Sequence, residues 1–110
     1  MGGWIGVDLD GTLAKYDGWK GIEHVGDPVL PMLNRVKQWI KEGKTVKIFT
    51  ARVSVPYDML ESVITPIHEW CEKNGLPRLE ITCKKDFGMI SLYDDRCVQV
   101  EMNTGKIIGQ

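Results

Sequence analysis

Short apolar runs alternate along this chain with longer stretches whose apolar positions recur every three or four residues. Trp4 to Leu9 is the first run. It breaks at Asp8-Leu9-Asp10-Gly11-Thr12, the pattern of a buried strand feeding a tight turn. Residues 14–28 are rich in Gly, Asp and Lys and predict an irregular loop. From Val29 to Lys41 the apolar positions 29, 30, 33, 36, 39 and 40 trace one face of a helix. Pro28 suits its first turn and Gly43 its stop. Thr45 to Phe49 predicts a second strand, closed by Thr50-Ala51-Arg52. Pro56 to Asn74 predicts a second helix, with Met59, Leu60, Val63, Ile64, Ile67 and Trp70 on one face, and Pro66 is expected to kink or split it. Asn74-Gly75 marks its end. Leu79 to Cys83 and Met89 to Tyr93 predict two more strands, the last closed by Asp94-Asp95-Arg96. Val98 to Met102 and Lys106 to Ile108, around Asn103-Thr104-Gly105, predict a small C-terminal β-hairpin.

Strands alternating with helices require crossover connections. They therefore predict an α/β fold, a Rossmann-like three-layer sandwich with a mainly parallel sheet. No repeat, low-complexity tract or linker divides the sequence, so residues 1–110 are expected to form a single domain. Trp39 and Trp70 fall in the helical apolar stripes and are expected in the core. Lys37, Lys41, Lys44 and Lys47 form a modest basic run, expected to be a solvated face.

Composition narrows the setting. With 43% hydrophobic and 26% charged residues, the chain is an ordinary globular sequence rather than a disordered one. A net charge of −1 supplies no global field to recruit nucleic acid or an anionic membrane. Nucleic acid enters only as a substrate held by a local patch. Cys71, Cys83 and Cys97 form no CxxC pair, and their odd number is not a disulfide framework, so the expectation is small buried or half-buried thiols in a reducing cytoplasm. No apolar run approaches the length of a membrane span. The first strand pattern opens at Trp4, so no signal peptide is expected.

The candidate chemistry sits where strands end. Asp8 and Asp10 close the first strand, Thr50 and Arg52 the second, Asp94 and Asp95 the fourth, and Lys84 and Lys85 follow the third. In an open parallel sheet these ends share one rim, where ligands bind. Four carboxylates gathered there need a counter-charge. An all-oxygen donor set favours a hard ion, and Mg²⁺ suits a few carboxylates completed by water. Thr50, the backbone N–H groups after Asp8 and a lysine then suit a phosphate group. One aspartate of the Asp8/Asp10 pair can attack phosphorus as an ionised nucleophile, while the other moves the proton of the leaving oxygen and of the attacking water. Gly11 lets the backbone approach the phosphoryl group. No GxxxxGK[ST] motif is present, nor a GxGxxG after a strand, and His24 has no partner at metal-ligand spacing, so no zinc site is expected. His68 is expected to be structural or solvated.

Asp8-Leu9-Asp10-Gly11-Thr12 after an apolar strand resembles the first signature of the haloacid dehalogenase (HAD) superfamily of phosphohydrolases. Phe49-Thr50-Ala51-Arg52 is similar to its second signature, one of Lys84 and Lys85 to its third, and Tyr93-Asp94-Asp95-Arg96 to its fourth. The resemblance runs from residue 4 to about residue 96, and the order of the four signatures is its specific part. It implies Asp8 as nucleophile, Asp10 as general acid/base, Thr50 as a hydrogen-bond donor to the phosphate, and a lysine, Lys85 in preference to Lys84, steadying nucleophile and phosphate. It implies Mg²⁺ held by Asp8, the Asp10 backbone carbonyl and Asp94, with Asp95 ligating directly or through water. Gly11, Thr12, Ala51, Arg52 and Lys84 would line the substrate, with Arg52 standing between a substrate contact and a plain surface salt bridge.

Many members of that superfamily carry a cap domain after the first signature or between the second and third. Both intervals here are filled by the predicted loop, helices and strands, so this chain resembles a capless member. An open site suits a bulky phosphorylated substrate, such as a nucleotide, a polynucleotide end or a phosphoprotein, unless an oligomer or the 14–28 loop covers it. Tyr16, Trp19 and His24 in that loop would stack on a base or shield the site. The expected activity is Mg²⁺-dependent phosphomonoester hydrolysis. Two alternatives stand beside it: a receiver-like phospho-acceptor module and a catalytically silent phosphate- or metal-binding domain.

Overall fold

A computed structural model describes residues 2–109; Met1 and Gln110 lie outside the described residues. Four apolar or small residues followed by Asp8 form strand β1 (Trp4–Asp8), buried except at its last position. Helix α1 (Leu30–Lys41) and strand β2 (Thr45–Phe49) follow, then a short 3-10 turn (Ala51–Val53), helix α2 (Tyr57–Lys73), strand β3 (Glu80–Thr82) and strand β4 (Met89–Tyr93). The four strands pair in the order β3-β2-β1-β4, every pair parallel. The α/β fold with a parallel, Rossmann-like sheet expected from the sequence is the one found.

β1 and β2 match residue for residue, Trp4 with Thr45 through Asp8 with Phe49. Facing residues therefore share a side. Ile5, Val7, Val46 and Ile48 point into one core with Met32, Leu33, Val36 and Trp39 of α1 and Val63, Ile67, Trp70 and Cys71 of α2. Val7, Val36, Ile48, Val63 and Ile67 are wholly buried, each worth about 1.5–3 kcal/mol relative to an exposed position. Two successive crossovers of the same hand, moving the same way across the sheet, bring both helices to this one face.

The layer opposite the helices is not helical. The chain returns from β3 to β4 through Cys83–Gly88, and this segment covers Trp4, whose indole Nε1 donates to Asp86 Oδ1 at 2.8 Å. Lys47 lies over the same ring, its Nζ 4.6 Å from the ring centroid and 3.1 Å from Glu80. Lys47 is thus half-buried, unlike the exposed Lys37, Lys41 and Lys44, and the expected solvated basic face loses one member.

Other boundaries move for local reasons. β1 ends at Asp8 because the Leu9 carbonyl accepts the N–H groups of Leu13 and Ala14, turning the chain at once. Val29 caps α1, and the proline of its first turn is Pro31, not Pro28, which instead bridges Ala14. α2 is continuous through Pro66, so the expected split does not occur; Ile67 and Trp70 beyond the proline and Val63 before it anchor the same face. β3 is shorter than the run Leu79 to Cys83, since only Glu80–Thr82 pair with β2 on this edge. The C-terminal hairpin reduces to a single bridge, Val100 with Ile107, supported by Glu101 N–H to Lys106 carbonyl and Ile108 N–H to Gln99 carbonyl. Val98, Val100 and Met102 are exposed, so these residues lack the buried face that would stabilise strands. Cys71 is buried and Cys83 half-buried as expected, whereas Cys97 is exposed. Among the described residues, no helix is long and apolar enough to cross a membrane.

Candidate active site

β1 is the first strand laid down, and the chain then moves one way to β2 and β3 before β4 adds on the other side. The strand order therefore reverses between β1 and β4. At that point neighbouring connections leave in opposite directions and open a crevice beyond the carboxyl ends. Asp8, at the end of β1, and Asp94 and Asp95, just past β4, meet there. Each contributes a carboxylate oxygen within 4.8 Å of the others.

The turn after β1 builds one wall. The Thr12 hydroxyl lies 3.4 Å from Asp8 Oδ2 and 3.0 Å from Asp95 Oδ1, and accepts the Asp95 amide at 2.9 Å. One hydroxyl thus ties the first turn to the end of β4 across 83 residues. Gly11 has φ +92°, which favours glycine, and a Cβ there would lie 2.7 Å from Asp95 Oδ2 and displace that carboxylate. Asp94 is held by its own turn, Oδ1 accepting from the Arg96 amide at 2.8 Å.

This crowding shows in the protonation of Asp8. Burial first, then the hydrogen bond with Asp95 and the charges of Asp94 and Asp95, push its carboxyl up to about 7, against the weaker pull of Thr12. Burial also pushes Asp95 up, but hydrogen bonds from Asp8 and Thr12 outweigh it and hold Asp95 below the usual range. Asp8 is thus the carboxyl of the cluster that holds its proton most readily, and Asp95 the one that gives it up most readily. Three convergent hard oxygen donors, crowded together without a salt-bridging cation of the protein's own among the described residues, fit a divalent ion such as Mg²⁺.

A cavity of about 600 Å³ opens beside this cluster. Asp8, Asp10, Thr50, Ala51, Arg52, Asp94 and Asp95 all line it, so the structure gathers residues from the ends of β1, β2 and β4 as expected. Thr50 is 3% exposed, its amide bonded to the Thr82 carbonyl at 2.9 Å. Its Oγ1 accepts the Arg52 amide at 3.2 Å, which leaves the hydroxyl proton available to an acceptor in the cavity.

Arg52 does something the sequence left open. Its Nε and Nη2 donate to Asp10 Oδ2 and Oδ1, both at 2.8 Å, a fork spanning 42 residues. Neither a surface salt bridge nor a free substrate contact describes it, since its side chain is only 6% exposed. The loop expected at 14–28 supplies the remaining wall through Tyr16, Trp19 and Ile22, opposite Phe49 and Val55. His24 contributes its carbonyl, which accepts from Arg52 Nη2 at 2.9 Å. The loop is tied to the body by Trp70 Nε1, which donates to the Gly26 carbonyl at 2.7 Å. His68 is structural, its Nε2 bonded to the Leu79 carbonyl at 2.8 Å.

Gly11 and Thr12 shape the carboxylate cluster rather than the cavity itself. The lysines stand apart: Lys84 and Lys85 are exposed, and neither lines the cavity. The Lys84 amide bonds Thr82 Oγ1 at 3.0 Å near the rim, whereas Asp86, next to Lys85, is fastened to Trp4 at the opposite end of β1. Arg96, which sequence reasoning gave no role, lines the cavity. Its place directly after the acidic pair was the available signal.

No family model matches the chain, and no curated protein matches it. Among solved structures it is similar to a conserved protein from Bacteroides thetaiotaomicron, with a TM-score of 0.59 and 20% identity over 89% of this chain and 79% of that one. At that identity the likeness is one of fold.

Proposed function

We propose that this chain is a Mg²⁺-dependent phosphomonoester hydrolase of the HAD type, acting through a phosphorylated Asp8. The observation that carries the proposal is the convergence of Asp8, Asp94 and Asp95 oxygens within 4.8 Å beside a cavity that also holds Asp10 and Thr50. Asp8, Asp94, Asp95 and the Asp10 carbonyl would hold the ion, whose charge keeps Asp8 ionised and offsets that of the phosphoryl oxygens. In the first step an Asp8 oxygen bonds phosphorus, the ester P–O bond breaks, and Asp10 gives its proton to the leaving oxygen. In the second, water attacks phosphorus, Asp10 takes the water proton, and the bond from phosphorus to Asp8 breaks to release inorganic phosphate. The Thr50 hydroxyl donates to a phosphoryl oxygen. The cavity is open and walled by Tyr16 and Trp19, which suits a leaving group larger than a small alcohol; nucleotides and polynucleotide ends are the substrate classes to examine first.

The position of the lysines favours a second reading, a domain that binds Mg²⁺ and phosphate without turnover. Hydrolysis of p-nitrophenyl phosphate with and without Mg²⁺ separates the two. The proposal expects Mg²⁺-dependent turnover that Asp8→Asn abolishes while the circular dichroism spectrum is retained, because an amide cannot attack phosphorus. An Asp8→Asn variant keeping most of the activity would overturn it, and a phosphoryl group lasting hours on Asp8 would indicate a signalling module instead.

A further inference from the structure

We infer that Arg52 is a positioning residue that orients Asp10 for proton transfer to the leaving group, and that the loop carrying Ile22 and His24 acts in catalysis by holding Arg52. The inference rests on the reading of the site as a phosphomonoesterase. Asp10 lies in the turn after β1, and a carboxylate on a turn has rotational freedom that a general acid must not have. Arg52 removes it. Two parallel N–H···O bonds of 2.8 Å set the plane of the Asp10 carboxylate, leaving the outward lone pairs of its oxygens for proton traffic.

Arg52 is in turn held on every side. Nη2 also donates to the His24 carbonyl at 2.9 Å, and Nη1 to the Ile22 carbonyl at 3.4 Å. The Trp19 ring lies against the guanidinium, with Cζ 4.9 Å from the ring centroid. These contacts occupy nearly all the directions in which a guanidinium donates, which is why Arg52 serves Asp10 and not the phosphate. Trp70 secures the far end of the same loop through Gly26. The loop and the start of the 3-10 turn thus form one support for the Asp10 side chain, built from segments that meet only in the folded chain.

A role through Asp10 has a signature that neither phosphate binding nor simple structural support shares. Proton transfer matters for a leaving group that departs as a basic alkoxide or phenoxide and hardly at all for one that leaves as a stable anion. The experiment compares kcat/KM of wild type, Arg52→Ala, Arg52→Lys and Asp10→Asn on phenyl phosphate and on 2,4-dinitrophenyl phosphate, with Mg²⁺ present. Arg52→Ala should lose roughly 10- to 100-fold on phenyl phosphate and less than about threefold on the dinitrophenyl ester, the same asymmetry as Asp10→Asn. Arg52→Lys, which keeps the charge but not the fork, should fall between. Because the ratio of the two substrates is taken within one preparation, a partly unfolded variant does not disturb it. Equal losses on both esters would overturn the inference while leaving the phosphatase reading intact. A wild type inactive on both esters would overturn that reading, and this inference with it.

Discussion

Replacing the nucleophile should make the metal-free protein more stable at pH 8, even as it ends catalysis. Asp8 is held among Asp94, Asp95 and apolar surroundings, and its carboxyl is pushed from 3.8 in the unfolded chain to about 7 in the fold, by burial above all. Between those values the folded protein keeps a proton that the unfolded chain has lost, so stability falls as pH rises through that window. A difference of about three pH units corresponds to roughly 4 kcal/mol when fully expressed. Asp8 is only half-buried, and solvent screening reduces this to about 1–2 kcal/mol. In Asp8→Asn the amide cannot ionise, so the cost of burying a charge at this position is absent at every pH. Urea unfolding in the presence of a chelator, followed by circular dichroism, should show the variant more stable than wild type by about 1–2 kcal/mol at pH 8, with the gap closing by pH 4. Saturating Mg²⁺ should stabilise wild type and narrow or invert the order, since binding to the folded state alone raises its stability. A variant equal to or less stable than wild type at pH 8 without metal would refute the claim that burying the Asp8 carboxylate beside Asp94 and Asp95 opposes the fold here.

Other consequences are as direct. Gly11→Ala combines a positive φ with a Cβ 2.7 Å from Asp95, and should cost about 1–3 kcal/mol in urea unfolding and weaken the Mg²⁺-dependent rise in melting temperature. Asp94→Asn should leave the chelated protein folded while shrinking that Mg²⁺-dependent rise, as read by thermal scans with and without the ion. Trp70→Phe removes the donor to the Gly26 carbonyl and should destabilise by about 1–2 kcal/mol, with faster proteolytic cleavage inside residues 14–28. Pro66→Ala restores an N–H inside α2 and should stabilise by about 1–3 kcal/mol, seen as a higher melting temperature.

What the sequence alone determined was local. A period of two or of three to four places each residue on one side of its own element, so β2, β4 and the apolar faces of α1 and α2 could be read directly, as could Trp39 and Trp70 in the core. The acidic turns after β1 and β4 were visible because Asp and Gly mark strand ends by backbone chemistry that needs no neighbour. The same logic failed where a neighbour decides. Val98 to Ile108 alternates like a hairpin, yet it finds no buried face and keeps one bridge. Pro66 reads as a helix breaker, yet core contacts on both sides of it keep α2 whole.

Only the tertiary structure decided which ends meet. Strand order, set by crossovers packing on one face, puts β4 beside β1 and so brings Asp94 and Asp95 to Asp8, while the β3–β4 segment carries Lys85 toward the far end of the sheet. The fork between Arg52 and Asp10 joins positions 42 residues apart and depends on loop carbonyls from Ile22 and His24. No periodicity encodes such a meeting, because it follows from how whole elements pack and from the need of each buried polar group for a partner.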